Sequence, residues 1–228
     1  MKYEEMRPGQ IDEVLRKTPI AYIPWGAHEW HGPHNPIGLD TIKAYHQCIA
    51  LCKETGGVVL PPVFCGYQTM KPYRGFKHTL EFRRSTVQAL VRDYLEQLYD
   101  EGFRVIVILM GHYGGMHVQA IREVCDRFQR EHDLVKVWAF PDYEPVRERG
   151  LSGDHAGVNE TSLMMHFRPD LVDLSQIPDE FNGARLGVSS DPRGSSVEHG
   201  RKLLEALVEV AVPKIKKMLE EVNEAYRR

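Results

Sequence analysis

The sequence predicts an α/β fold of three layers, α/β/α, with a largely parallel central sheet. Two observations carry that expectation. Short β-branched apolar runs alternate along the chain with longer amphipathic ones, the pattern of helices packed on both faces of one sheet. The strongest run, Arg104-Val105-Ile106-Val107-Ile108-Leu109-Met110, is apolar on both faces, as a central parallel strand must be.

Taken in chain order, Ile20-Ala21-Tyr22-Ile23-Pro24 reads as the first strand, and Asp40 to Glu54 as a helix after it. Val58-Val59-Leu60 is the second strand. Ser85 to Tyr99 places Val87, Leu90, Val91, Tyr94, Leu95 and Leu98 at helical spacing. After the central strand comes a helix over Met116 to Glu131, then a weaker fourth strand over Leu134 to Phe140. The tail from Ser195 to Ala225 is long, amphipathic and charge-laced, with Pro213 either starting a new helix or kinking one.

The 228 residues suit one domain, residues 1–228, large enough to bury a core without disulfides. A net charge of -3 offers no field to gather nucleic acid or an anionic membrane. No apolar run approaches the roughly 20 residues that cross a bilayer. The N-terminus Met1-Lys2-Tyr3-Glu4-Glu5 is charged where a secretory signal has an apolar core, so a cytoplasmic location is expected. Cys48, Cys52, Cys65 and Cys125 are then expected to be buried, reduced thiols, Cys48 and Cys52 sharing one helix face.

Chemistry concentrates at the junctions after strands. Glu29 and His31 follow the first strand, Asp40 opens the next helix, His112 follows the central strand and Glu160 opens a later helix. In open α/β sheets such loops converge beyond the carboxyl ends of the strands. All five are oxygen or nitrogen donors, a set that suits divalent transition ions used for hydrolysis.

Each has a plainer reading as well. Glu29 and His31 lie two apart, so both reach one side of an extended segment; alone they read as a surface Glu beside a structural His. The frame of Gly26-Ala27-His28 and Gly32-Pro33-His34-Asn35-Pro36 suits a rigid ligand loop better. Asp40 is also well placed as an N-cap. Gly114 and Gly115 after His112 allow a tight turn, and glycines before a helix also cradle anions, although the Lys and spacing of a P-loop are absent. Glu160 fits the first turn of a helix capped by Asn159, which leaves Asp154 and His155 without a role.

Three segments in order resemble the creatininase family of metal-dependent amidohydrolases: Gly26 to Asp40, Gly111-His112-Tyr113-Gly114-Gly115, and Asp154-His155-Ala156-Gly157-Val158-Asn159-Glu160-Thr161-Ser162. The resemblance extends over most of the chain. It implies a creatininase-like three-layer fold, two divalent metal ions per chain (zinc, manganese or iron(II)), and a homo-oligomer such as a hexamer. It also implies that Glu29 and His112 hold one ion and His31 the other, that Asp40 bridges them, and that Glu160 completes the ligand set of the second ion. The family's namesake enzyme carries a Glu two positions after its equivalent of His112, where this chain has Gly114.

The expected reaction is hydrolysis of a non-peptide C–N bond in a small or cyclic amide, by a water shared between the ions. His155 or Asp154 would pass the proton to the leaving nitrogen. His34 and Tyr113 are expected to orient ligands or substrate. His78, in Tyr73-Arg74-Gly75-Phe76-Lys77-His78, either faces an anionic or polyhydroxylated substrate or is solvated surface. Relatives implied by the resemblance include deformylases, a peptidase of cofactor maturation, and hydrolases that open an inositol-derived cyclic diketone at a C–C bond, the 3-dehydro-scyllo-inosose type. A non-catalytic, metal-containing binding protein is the alternative of a different class.

Overall fold

The computed structural model describes residues 1–227, so the last residue of the expected 1–228 domain lies outside the described residues. In chain order the elements are α1 (Pro8–Lys17), β1 (Ile20–Gly26), α2 (Leu39–Thr55), β2 (Val58–Val59), β3 (Val63–Phe64), α3 (Met70–Arg74), α4 (Arg84–Asp100), β4 (Val105–Met110), α5 (Gly115–Glu131), β5 (Lys136–Pro141), α6 (Val158–Phe167), α7 (Gly183–Leu186) and α8 (Val197–Arg227). The sheet runs β2-β1-β4-β5, with β3 joining β1 beyond β2, and every pairing is parallel.

β1 and β4 are buried at every position because alternate residues face two different cores. Ala21, Ile23, Trp25, Ile106, Ile108 and Met110 pack with Val87, Val91 and Leu95 of α4, Ile121, Cys125 and Phe128 of α5, and Val14 of α1. Ile20, Tyr22, Val105, Val107 and Leu109 pack with Ala44, Cys48 and Leu51 of α2, and Leu207, Ala211 and Ile215 of α8. This is the three-layer arrangement expected. All four cysteines are buried and unpaired. Among the described residues no helix is long and apolar enough to cross a membrane.

The boundaries differ in instructive places. β1 continues to Gly26 because Trp25 pairs with both Met110 of β4 and Val63 of β3. Strand β3 is only two residues long behind Pro61-Pro62, too short to read from alternation. α8 runs unbroken through Pro213 for 31 residues, so no new helix begins there. Pro213 sits on the exposed side, where the carbonyl it leaves without an N–H partner can meet water.

Candidate metal centre

The register pairs Ile20 with Val105 and Trp25 with Met110, so β1 and β4 end level and their following loops begin side by side. Two glycines let a helix close over that edge. A Cβ at Gly111 would lie 2.0 Å from the Asp40 carbonyl oxygen, and one at Gly26 would lie 2.4 Å from the Thr41 backbone nitrogen. Only residues without a side chain admit this approach. α2 therefore starts directly against the strand ends, with Asp40 in its first turn.

Asp40 is not the N-cap of that helix. Gly38 holds the cap position, and Asp40 lies inside the first turn, 1% exposed. Its two oxygens face different partners. Oδ1 is 3.0 Å from His31 Nε2, and Oδ2 is 3.3 Å from His112 Nδ1. His112 Nδ1 is also 2.8 Å from Glu29 Oε2, and His31 Nε2 is 3.5 Å from Glu160 Oε2. Glu29, Asp40 and His112 thus form one set of convergent donors, and His31, Asp40 and Glu160 a second.

The imidazoles are oriented with lone pairs inward. His31 Nδ1 donates to the Glu29 carbonyl at 3.0 Å, which turns Nε2 toward Asp40 and Glu160. His112 Nε2 donates to the Tyr67 carbonyl at 2.9 Å, which leaves Nδ1 toward Glu29 and Asp40. Such back-side bonds set the tautomer of ligating histidines. His31 Nε2 and Asp40 Oδ2 are buried without a hydrogen-bond partner, an arrangement that costs free energy unless a cation takes them up. Imidazole and carboxylate donors suit zinc, manganese or iron(II). The residues fit the ions.

The electrostatics point the same way. Burial disfavours a charged His31, yet the charges of Asp40, Glu160 and Glu29 carry its pKa up to about 9. His112 is likewise raised against its own burial by Glu29 and Asp40. Burial opposes ionisation of Asp40, and His31 and His112 overcome it, holding the carboxyl well below the usual range.

One participant was not legible as such in the sequence. Lys43, one turn after Asp40, is fully buried. Its Nζ donates to Glu160 Oε1 at 2.5 Å and to the Tyr113 hydroxyl at 3.1 Å, and pairs with Asp142 Oδ2 at 3.2 Å. The Tyr113 hydroxyl lies 2.5 Å from the same Glu160 oxygen. Glu160 Oε2 accepts the Ala156 N–H at 2.8 Å. Burial favours neutral Glu160, and the Lys43 ammonium outweighs it to lower the pKa. A buried lysine in a helix has no local sequence signature; Asp142, just past β5, was equally silent.

A cleft of about 510 Å³ opens over the donors, lined by Glu29, Asp40, His112 and Glu160 and walled by Gln68, Tyr143, Arg147 and His155. His155 Nε2 donates to the Trp30 carbonyl at 2.9 Å, and its ring lies 4.3 Å from that of His31. Burial and the neighbouring His31 lower its pKa and favour the neutral ring. Asp154 also lines the cleft, but its carboxylate accepts the Asn159 and Glu160 N–H groups and so anchors the start of α6. That replaces the Asn159 cap; Asn159 instead donates to the Ser152 carbonyl. Burial, then Glu160, raises Asp154 to about 6.

Of the residues offered for the ligand or substrate side, His34 and His78 lie outside the cleft lining, His78 thereby matching the solvated-surface one of its two readings. His34 is buried against Thr161 of α6, with Nε2 3.0 Å from its hydroxyl, and does not line the cleft. His78 is exposed, outside the cleft lining, with Lys77 and Arg74 equally exposed. The residues just before that segment, Gln68, Thr69 and Met70, line the cleft instead. At Gly114 a Cβ would meet the Gln68 carbonyl oxygen at 2.8 Å, so backbone closes this position to a side chain.

The creatinine amidohydrolase (creatininase) family model matches residues 4–215. The chain belongs to the creatininase family. Among curated members, creatinine amidohydrolase of Pseudomonas putida is 28% identical over 83% of this chain and 86% of its own length. A mycofactocin precursor peptide peptidase of Mycolicibacterium smegmatis is 24% identical, covering 88% and 85%. A 3-dehydro-scyllo-inosose hydrolase of Thermotoga maritima is 25% identical over 84% of this chain and 61% of its own length. A crystal structure of creatininase superposes with a TM-score of 0.83 at 26% identity, covering 95% of this chain and 97% of that one. Solved creatininases include a manganese form and a Zn-Zn form of a variant. This creatininase-family hydrolase carries its candidate metal donors in buried clusters of His, Asp and Glu.

Proposed function

We propose that the chain is a dinuclear-metal hydrolase of a C–N bond in a small, preferably cyclic, amide. The observation that carries this reading is the division of Asp40. Its two oxygens serve two separate buried donor sets, Glu29 with His112 and His31 with Glu160. Bound there, divalent ions would polarise a carbonyl oxygen and make water acidic enough to attack near neutral pH.

The chain's own residues supply the rest. The cleft above the donors admits a small molecule and holds it between Tyr143, Gln68 and His155. His155 is neutral, with its proton on Nε2 committed to Trp30. Its Nδ1 is then free to take a proton from the attacking water and return it to the leaving nitrogen. Asp154 positions Glu160 through its backbone bonds rather than moving protons. Self-association as a homo-oligomer is part of the same reading and is measured by light scattering.

Gly114 supports a second reading. With the namesake's Glu position closed by Gln68, strict creatinine hydrolysis is disfavoured, and opening of a cyclic 1,3-diketone at a C–C bond becomes the competing reaction. The test is elemental analysis of protein purified without chelator, followed by assay of the loaded protein on a cyclic amide and a cyclic diketone. Near two transition ions per chain in the wild type, and a deficit in Asp40→Asn, are expected. Wild-type protein that neither contains nor binds such ions would overturn the proposal.

A further inference from the structure

Lys43 places a permanent positive charge on the ligand side of a site built for cations. It is fully buried, and its Nζ grips the outer oxygen of Glu160 at 2.5 Å. The inner oxygen of that carboxylate is the one beside His31. A metal ion held by His31, Asp40 and Glu160 would therefore share one carboxylate with an ammonium, each on its own oxygen. Like charges across a single buried carboxylate repel with little screening. In the other donor set Lys43 acts only on the shared Asp40 among the described residues, and Glu29 Oε1 accepts the Met70 backbone N–H at 2.5 Å.

From this we infer that Lys43 is a positioning residue that weakens the hold of the His31–Asp40–Glu160 donors on their ion. It does so in two ways. It withholds Glu160 Oε1, so that the carboxylate offers a single oxygen, and it offsets that ligand's charge. Asp142, 3.2 Å from Lys43 and bonded by Gln47 at 3.1 Å, sets how strongly the ammonium acts by drawing part of its charge away. Glu160 keeps its orientation without Lys43, because the Tyr113 hydroxyl and the Ala156 N–H also hold it. Loss of Lys43 should thus tighten binding, whereas loss of a merely structural residue would loosen it.

The inference rests on the dinuclear reading, and one titration separates the two. Metal-depleted full-length protein is titrated with manganese(II) alone, free ion being read by electron paramagnetic resonance. Two wild-type sites uphold the dinuclear reading, and none removes it together with the inference. In Lys43→Met the weaker site is expected to tighten by about tenfold or more, as removal of a buried like charge implies, with the other site, coupled to Lys43 through the shared Asp40, changed less. His31→Ala identifies the shifting site by abolishing it. Asp142→Asn is expected to move the same site the opposite way. A folded Lys43→Met protein, judged by far-ultraviolet circular dichroism, that binds equally or more weakly overturns the inference. Should Lys43→Met not fold, an Asp142→Asn protein whose weaker site is unchanged or tighter overturns it.

Discussion

Gly111→Ala adds one methyl group where the fold has no room for it. Gly111 is not among the glycines at positive φ, so alanine is allowed by the backbone and the effect is steric alone. The new Cβ would stand 2.0 Å from the Asp40 carbonyl oxygen and 2.8 Å from its carbonyl carbon. Real Cβ contacts begin near 3.0 Å, so the first turn of α2 must retreat by at least about 1 Å, with backbone atoms rather than a pliable side chain on the other side. Overpacking of this kind costs roughly 1–3 kcal/mol. In a chain of this size about 2 kcal/mol lowers Tm by roughly 4–8 °C. The larger consequence falls on the site, since that turn carries Asp40, whose oxygens lie 3.0 and 3.3 Å from the two histidines. A displacement of about 1 Å can cost about a hundredfold in rate at a preorganised site, and here it moves a candidate metal donor, so metal content should fall as well. Elemental analysis and differential scanning calorimetry on the variant, with Gly9→Ala as control, measure both effects. Gly9 has nothing within 4 Å of its would-be Cβ and lies in α1, so alanine there is neutral or mildly stabilising. A Gly111→Ala protein with wild-type metal content and Tm would refute the idea that this close approach sets the site.

Three further outcomes are expected. Pro213→Ala restores a donor in the middle of the continuous helix α8 at an exposed position, and should raise stability by roughly 1–3 kcal/mol, read from urea unfolding. His34 is held neutral by burial, its pKa lowered to about 4 from 6.5. The native state thus binds fewer protons than the unfolded chain between those values, so the stability His34 contributes is complete above pH 6.5 and is lost as pH falls through about 4. His34→Gln should flatten the stability loss between pH 6.5 and 4, and an unchanged slope would remove His34 from that account. Chelation should lower Tm, and added manganese(II) should restore it, because the ions bind only the folded arrangement of buried donors; a Tm indifferent to both would contradict the site.

What could be read in advance was what local physics dictates. β4 was legible because every residue of Val105–Met110 is apolar, most of them β-branched, and buried on two faces. α4 and α5 were legible because their cores repeat at helical spacing. β3 escaped because two residues carry no periodicity. α1 escaped because its buried contribution is a single residue, Val14. At the site, Glu29, His31 and His112 stood at strand ends where their chemistry could be suspected. Asp40 carried two readings, metal donor and cap, because the cap and the first turn differ by only two residues in sequence but point to different surroundings. Lys43 could not be foreseen: a lysine three residues after Asp40 reads as solvated, and only the meeting of α2, α6 and the end of β5 reveals that it is enclosed. His34 and Thr161 are likewise joined across 127 residues.

The charge balance of the centre explains why its histidines and its cations belong to one account. Glu29, Asp40, Asp142 and Glu160 are buried carboxylates, and Lys43 is the buried ammonium among them. Four negative charges against one positive is a costly excess in a low-dielectric interior. Without ions, His31 and His112 reduce it, and both are driven toward protonation for that reason. Protons on His31 Nε2 and His112 Nδ1 would occupy the very lone pairs that the Glu29 and Tyr67 carbonyls leave free from behind. Ion binding and proton release at these two nitrogens are therefore one exchange. Manganese uptake should release protons, up to about two per chain at a pH below the raised values, and the release should shrink as pH climbs above about 9, where His31 no longer carries its proton. Titration in a weakly buffered indicator solution measures it directly. Uptake without proton release at pH 7 would mean that the histidines do not face the ions and that the buried excess of charge is relieved elsewhere.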